Sequence, residues 1–459
     1  MSAKKNWIKP TITPHREGTL NKFGRVSAKE YIEVIEGIPV KELINQFGSP
    51  LFVLSEKQLR SNIRRLKQAF ETRYQPIVFG WSYKTNYLNA VCATLHQEGS
   101  WAEVVSLFEY EKARTLGVPA NRILFNGPHK SKDTLALCVK EGARIHIDNM
   151  DELYSLEDVA RVANKVVPVT IRLNFDTGFA EPWSRFGFNV ESGQAIDAAR
   201  RISNSQWLKL TGLHSHIGTF VLDPKAYSAQ VTIMCEFMES AEQQTGCIID
   251  SLDIGGGFAS RLDLQGVYVS TEQTTPSIEQ YADAICTTLL RETAQRRAQN
   301  KPQPTLIVES GRAIIDDAEV LISSVVSTRR LPNGKPAAVL DAGVNLLFTA
   351  FWYHHRVQPT RPLDGFAEDT VLYGPLCMNI DVVRQSIMIP PLQVGDQLII
   401  SPVGAYNNTQ WLQFIEYRPN IVMINEESLV SVIRQAEDLS SMNQLESLPE
   451  HLNGNFKLD

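Results

Sequence analysis

Short apolar or β-branched runs recur along the first two thirds of the chain, near 77–83, 101–106, 122–126, 144–148, 167–174, 209–217, 249–254 and 305–309. The stretches between them read as helices. The sharpest is 55–70, where Leu59, Ile63, Leu66 and Phe70 recur at spacings of four, three and four and so share one helical face. Ser55 with Gln58 three residues on predicts a capping-box start for that helix. A second helix is expected to begin after Ser131 and stop near Gly142, a glycine suited to a left-handed C-terminal position. Eight strand–helix units over roughly 240 residues predict an α/β fold, a (β/α)₈ TIM barrel whose chemistry sits at the C-terminal ends of its strands. A doubly wound parallel sheet is the structural alternative. After about residue 320 the runs Val320–Val326, Ala337–Leu340, Thr370–Tyr373 and Gln397–Ile400 are separated by Pro, Gly and Asn rather than by helices. They predict a second, mostly antiparallel β domain.

Composition narrows the class. Of 459 residues, 43% are hydrophobic and 21% charged, which suits a large buried core and excludes a disordered chain. The net charge of −6 leaves no general basic footprint for nucleic acid. The first ten residues carry lysines but no apolar stretch behind them, so no signal peptide is expected. No window holds the ~18 apolar residues of a membrane helix. Six cysteines (Cys92, Cys138, Cys235, Cys247, Cys286 and Cys377) are dispersed without a CxxC pair. That spacing fits reduced thiols in the cytoplasm better than a disulfide scaffold or a metal site.

The barrel reading directs attention to residues just past each strand. Lys84, in Trp81-Ser-Tyr-Lys-Thr-Asn86, follows the first strand amid apolar sequence, where a desolvated amine with a lowered pKa can form a Schiff base. A solvated surface lysine is the ordinary alternative. The second strand brings Glu103 and Ser106. The sixth ends in His214-Ser-His216-Ile-Gly-Thr219, two histidines on one strand face. No third ligand is evident nearby, so a ring packed on a flat cofactor competes well with a metal pair, and no metal is assigned. The seventh runs into Gly255, Gly256 and Gly257, which allow backbone N–H groups to close around a phosphate. The eighth ends in Glu309-Ser-Gly311-Arg312, adding a carboxylate, a glycine and a guanidinium. Barrels commonly hold phosphate after strands seven and eight. Lysine, histidine, phosphate loop and carboxylate are the parts of a pyridoxal phosphate site.

These segments resemble the alanine-racemase-type barrel family of pyridoxal phosphate enzymes, and within it the diaminopimelate/ornithine/arginine decarboxylase branch. The likeness runs from about Gly37 to Ile424. It includes Phe47-Gly-Ser-Pro-Leu-Phe-Val53, Lys84 in a YxVKxN-like segment with Tyr83 and Thr85 replacing its usual neighbours, and His216 in His-Ile-Gly. Glu309-Ser-Gly-Arg312 stands for EPGR with Ser310 in place of proline, followed by Gly374-Pro-Leu-Cys377 and Gly404-Ala-Tyr406. The resemblance implies that Lys84 is the Schiff-base lysine, that His216 stacks on the pyridine ring, and that Thr219 and Tyr406 lie near the phosphate. It implies a homodimer in which Cys377 is donated into the partner's site, so that an isolated monomer is inactive. It also implies the partition 1–47 as an N-terminal segment joining the β domain, 48–319 as the barrel, and 320–459 as the β domain. On that resemblance Glu309 lies beside the pyridine nitrogen and would keep it protonated, which suits loss of CO₂ over racemisation, with Cys377 or Lys84 expected to return the proton and Glu103 expected near the Schiff base.

Two departures bear on the substrate. Where diaminopimelate decarboxylases carry an arginine and a proline, this chain has Thr349 and Ala350; where an acidic residue follows the cysteine, it has Met378. Both halves of a charge-assisted clamp on the distal end are therefore missing. The expectation is a derivatised or conjugated amino acid of a siderophore-type or antibiotic-type pathway, with Tyr353, Met378 and Asp381 near it. Trp352, His354, His355 and Arg356 are further candidates, or else domain-interface packing. Three alternatives stay open: diaminopimelate decarboxylase proper, an amino-acid racemase, and a non-catalytic homologue that binds a protein partner.

Overall fold

The structure is a computed structural model that describes residues 31–452 apart from 180 and 267–270. The first thirty residues of the expected N-terminal segment and the end of the polar tail lie outside the described residues. Eight parallel strands close on themselves: Ile77–Ser82, Trp101–Val104, Ile123–Phe125, Arg144–Ile147, Val167–Asn174, Leu208–Ser215, Ser251–Asp253 and Thr305–Ser310, the last pairing with the first. Closure excludes the doubly wound alternative. The strands are buried on both faces, which is why they read as continuous apolar runs rather than alternating ones.

Seven helices follow strands in the expected way. The eighth outer position is filled by Glu56–Glu71, which precedes the first strand and packs against Ile278–Glu292, with Arg65 and Arg73 paired to Glu279 and Asp283. Its buried face holds Leu59, Ile63, Leu66 and Phe70. Only half of the expected capping box forms. The Gln58 amide donates to Ser55 Oγ at 3.0 Å, while the Gln58 side chain turns away to Asn62 and Asp317. The helix Lys132–Glu141 is capped by Ser131 and ends at Gly142 with φ of 83°.

The last barrel strand runs through the short turn Arg312–Ala318 straight into the long strand Glu319–Arg330 of a second sheet. That strand pairs antiparallel with Pro336–Leu340, Gln397–Ser401 and Leu51–Ser55. Leu51–Ser55, expected within the barrel, is therefore a strand of the second sheet, where it also pairs parallel with Ile421–Ile424. Its apolar side chains Leu51 and Val53 complete a small core with Val40, Leu43, Ile322 and Val422. The second sheet is mostly antiparallel, with a second parallel pair between Pro336–Leu340 and Glu368–Tyr373. Its loops reach the mouth of the barrel: the Tyr406 amide donates to Thr85 O at 2.8 Å, and Thr409 Oγ1 to Lys84 O at 2.8 Å. No helix among the described residues is long and apolar enough to cross a membrane.

Candidate active site

A cavity of about 650 Å³ opens at the C-terminal ends of the barrel strands. Its wall includes Lys84, Glu103, His216, Thr219, Gly256, Gly257, Glu309, Gly311, Arg312, Tyr353 and Tyr406. These residues come from several different strand ends and from two loops of the second sheet, so the fold itself assembles them.

Lys84 extends from the end of the first strand, and its ammonium is paired with Glu103. Burial pulls its pKa down, but the carboxylates of Glu103 and Glu309 outweigh that and hold it above the ordinary lysine range. The expected lowered pKa is thus reversed, because the apolar flanks in the sequence do not reveal two acids from other strands.

Arg312 is packed between rings, 4.6 Å from Tyr353, 5.1 Å from Tyr406 and 5.7 Å from Phe220. Its Nη1 reaches Asp316 Oδ2 at 3.4 Å, while its buried Nε has no partner among the described residues. An unfilled donor on a fixed guanidinium suits an anion in the cavity. Beside it, Gly256 and Gly257 bring bare backbone to the wall. A Cβ on Gly256 would lie 2.1 Å from Glu309 O, and one on Gly257 would lie 2.3 Å from Gly218 O at a φ of +92°. His216 accepts from the Gly256 amide at Nδ1 (3.1 Å), and burial holds its pKa well below the usual value. The ring is therefore neutral with its proton on Nε2. Trp183 meets it edge-on, centroids 5.4 Å apart.

Glu309 accepts from Asn126 Nδ2 at 2.6 Å and lies 3.5 Å from His214 Nε2. Below it, the His146 ring lies near His214, centroids 5.1 Å apart, and stands 3.9 Å from Asp253. Burial keeps both histidines neutral, and burial together with Glu309 raises the Asp253 pKa far above the carboxylate range. The ligand-type atoms of this buried quartet lie within 4.8 Å of one another.

Several expected site residues stand elsewhere. Ser106 is turned to the helix Leu107–Thr115, where its hydroxyl accepts from the Glu109 amide. Gly255 lies behind the wall: its N–H donates to Asp253, and a Cβ there would strike the His216 ring at 2.6 Å. Asp381 is not available to a substrate, because its carboxylate is buried and accepts from the amides of Val344 and Leu376. Met378 is half-buried and outside the wall of its own chain, and Cys377 is exposed. Of the other five cysteines, four are buried and Cys247 is half-buried. Trp352 joins the cavity wall; His354, His355 and Arg356 do not. The sequence reading misses Asn126, Arg172, Trp183, Phe186 and Phe220, all on the wall. Asn126 directly follows the third strand, as Lys84 follows the first, but carries an amide rather than a reactive group; Trp183 and Phe186 sit in a loop with no periodic signal.

The set fits pyridoxal phosphate: an amine for its carbonyl carbon, an arginine with a spare donor beside side-chain-free backbone for its phosphate, and a buried carboxylate for its ring. A family model described as pyridoxal-dependent decarboxylase, pyridoxal binding domain, matches residues 57–316. The diaminopimelate decarboxylase of Methanothermobacter thermautotrophicus is 28% identical over 430 residues, covering 91% of this chain and 96% of its own. That of Zymomonas mobilis is 28% identical, covering 88% and 95%. The crystal structure of the M. jannaschii diaminopimelate decarboxylase in co-complex with L-lysine superposes with a TM-score of 0.82 at 26% identity, covering 91% and 96%. With the family matched over more than half its length and its lysine, arginine and carboxylate converging on one barrel mouth, this chain belongs to the pyridoxal-dependent decarboxylases and is a pyridoxal-phosphate-dependent amino-acid decarboxylase.

Proposed function

We propose that the substrate is a derivatised or conjugated amino acid of a specialised biosynthetic pathway, siderophore or antibiotic in type, and that meso-diaminopimelate is a poor one. The observation that carries this reading is Thr349. Its hydroxyl lies 2.9 Å from His355 Nε2 and donates to Asn407 Oδ1 at 2.8 Å, so its polar atom is already engaged inside the protein. At this edge of the cavity the neighbours are Phe220, Leu264, Trp352 and Tyr353. An aromatic, largely apolar rim favours a bulky group over a free ammonium–carboxylate end.

Pyridoxal phosphate supplies the sink for the electron pair left when the α-carboxylate departs as CO₂. This chain's residues do the rest. Lys84 would hold the cofactor at its carbonyl carbon, and Glu103 is paired with that amine. Glu309 would hold a proton at the ring nitrogen, the neutral His216 would offer the ring a flat face, and Arg312 with Gly256, Gly257 and Tyr406 would hold the phosphate. Lys84, or Cys377 contributed by a second copy of the chain, returns a proton to the α-carbon. The enzyme is taken to act as a homodimer in the cytoplasm, whose reducing conditions suit six unpaired cysteines.

Diaminopimelate decarboxylase proper is the second reading, favoured by the names of the relatives. CO₂ release decides between them. Purified enzyme is offered meso-diaminopimelate, lysine, ornithine and a panel of N-acylated and side-chain-conjugated amino acids of both configurations. Turnover of diaminopimelate with a kcat/KM of about 10⁴ M⁻¹s⁻¹ or more would sink the proposal; the expected winner is a conjugate.

A further inference from the structure

Asn126 stands between the two acids of the site. It is 4% exposed, and its single Nδ2 donates both to Glu309 Oε1 at 2.6 Å and to Glu103 Oε1 at 3.3 Å. The other oxygen of Glu103 is paired with Lys84, and the other oxygen of Glu309 faces His214. One buried amide therefore joins Lys84, Glu103, Glu309 and His214 in a continuous line across the cavity floor. Charge fixes its orientation, since turning the amide over would press Oδ1 against two carboxylates. Oδ1 itself has no partner among the described residues.

We propose that Asn126 is a positioning residue of this decarboxylase: by giving one N–H to each acid it holds Glu103 on the Lys84 amine and Glu309 toward the cofactor ring. The inference rests on the cofactor assignment and is independent of the substrate reading. Two carboxylates in a buried cavity repel each other, and without a shared donor they would swing apart and Glu103 would leave the Lys84 amine. The amide offsets that repulsion with two charge-assisted hydrogen bonds. Both acids are then held in place, and Glu103 stays paired with Lys84. Glu109, His146, Arg172, His216, Asp253 and Tyr406 are further titratable groups acting on these acids or on Lys84, and the variants below leave them in place.

The test uses Asn126→Ala and the isosteric Asn126→Asp in the full chain. Acetylation of Lys84 in the cofactor-free protein, followed by peptide mass spectrometry, reports how often that amine is unprotonated. In Asn126→Ala the rate at neutral pH should rise about tenfold, the equivalent of one pH unit, and the Kd for pyridoxal phosphate should rise by a similar factor. The carboxyl introduced by Asn126→Asp can donate only when protonated, so that variant should recover cofactor affinity as the pH falls, a trend the parent does not share. Acetylation rates and affinities within twofold of the parent, with no recovery in acid, would overturn the proposal. If Asn126→Ala does not fold, the acid recovery of Asn126→Asp decides alone.

Discussion

Gly256 has no room for even a methyl group, because the Glu309 carbonyl oxygen occupies the place where a Cβ would go. Gly256→Ala should therefore push apart the ends of the last two barrel strands, cost about 1–3 kcal/mol, and weaken cofactor binding at least as much as any change at the rim. Thermal unfolding and a pyridoxal phosphate titration check both effects; an unchanged Kd would mean that the glycine cradle is not the phosphate seat. At this scale the sequence is readable where chemistry and position coincide. Lys84, His216, Glu309 and Arg312 stand at or just past strand ends and carry reactive groups, and all four line the cavity. Ser106 meets the same criteria and fails, because a hydroxyl after a strand is equally suited to cap the helix that follows. Asn126 escapes notice for the opposite reason: an asparagine after a strand is an ordinary turn residue until two carboxylates from other strands are seen to meet it.

Among the elements, the barrel strands are the most legible, because each is buried on both faces and so reads as a continuous apolar run. Leu51–Ser55 shows the limit of that signal. A short apolar run carries no label saying which sheet it will join, and only its partners Glu319–Ile322 and Ile421–Ile424 decide it. Caps are legible where one residue suffices. The Ser131 hydroxyl accepts from the Thr134 amide at 3.2 Å and Gly142 closes the same helix. Ser131→Ala should lower stability by about 1 kcal/mol, read from the denaturant midpoint, with activity unchanged. The capping box at Ser55 forms only in half, since Asp317, far along the chain, competes for the Gln58 side chain.

Over the whole molecule, pH reports on the packing of the second domain around His355. His355 is buried with Nδ1 donating to Pro402 O at 2.7 Å, and burial pushes its pKa down to about 4. The unfolded chain takes up that proton near the ordinary value of about 6.5, so the stability is present above that pH and is lost as pH falls toward 4. The loss attributable to this group is at most about 3 kcal/mol. His355→Gln should flatten the fall of the melting temperature between those two pH values; an identical slope in parent and variant would show that another group carries it. Assembly gives a second whole-molecule test. If Cys377 serves the partner's site, mixing inactive Lys84→Ala and Cys377→Ala proteins should restore about a quarter of the parental activity, through mixed dimers with one intact site. No recovery after subunit exchange would place Cys377 outside the shared site.

The second sheet also dictates an order of events during synthesis. Leu51–Ser55 leaves the ribosome before any barrel strand, yet its neighbours Glu319–Ile322 and Ile421–Ile424 emerge only after the whole barrel. An early apolar segment must therefore wait unpaired while the entire barrel is made, with both of its edges open to other chains. The nascent chain is open to aggregation at this segment throughout that interval, and a chaperone that shields it would act before the finished enzyme's own stability can.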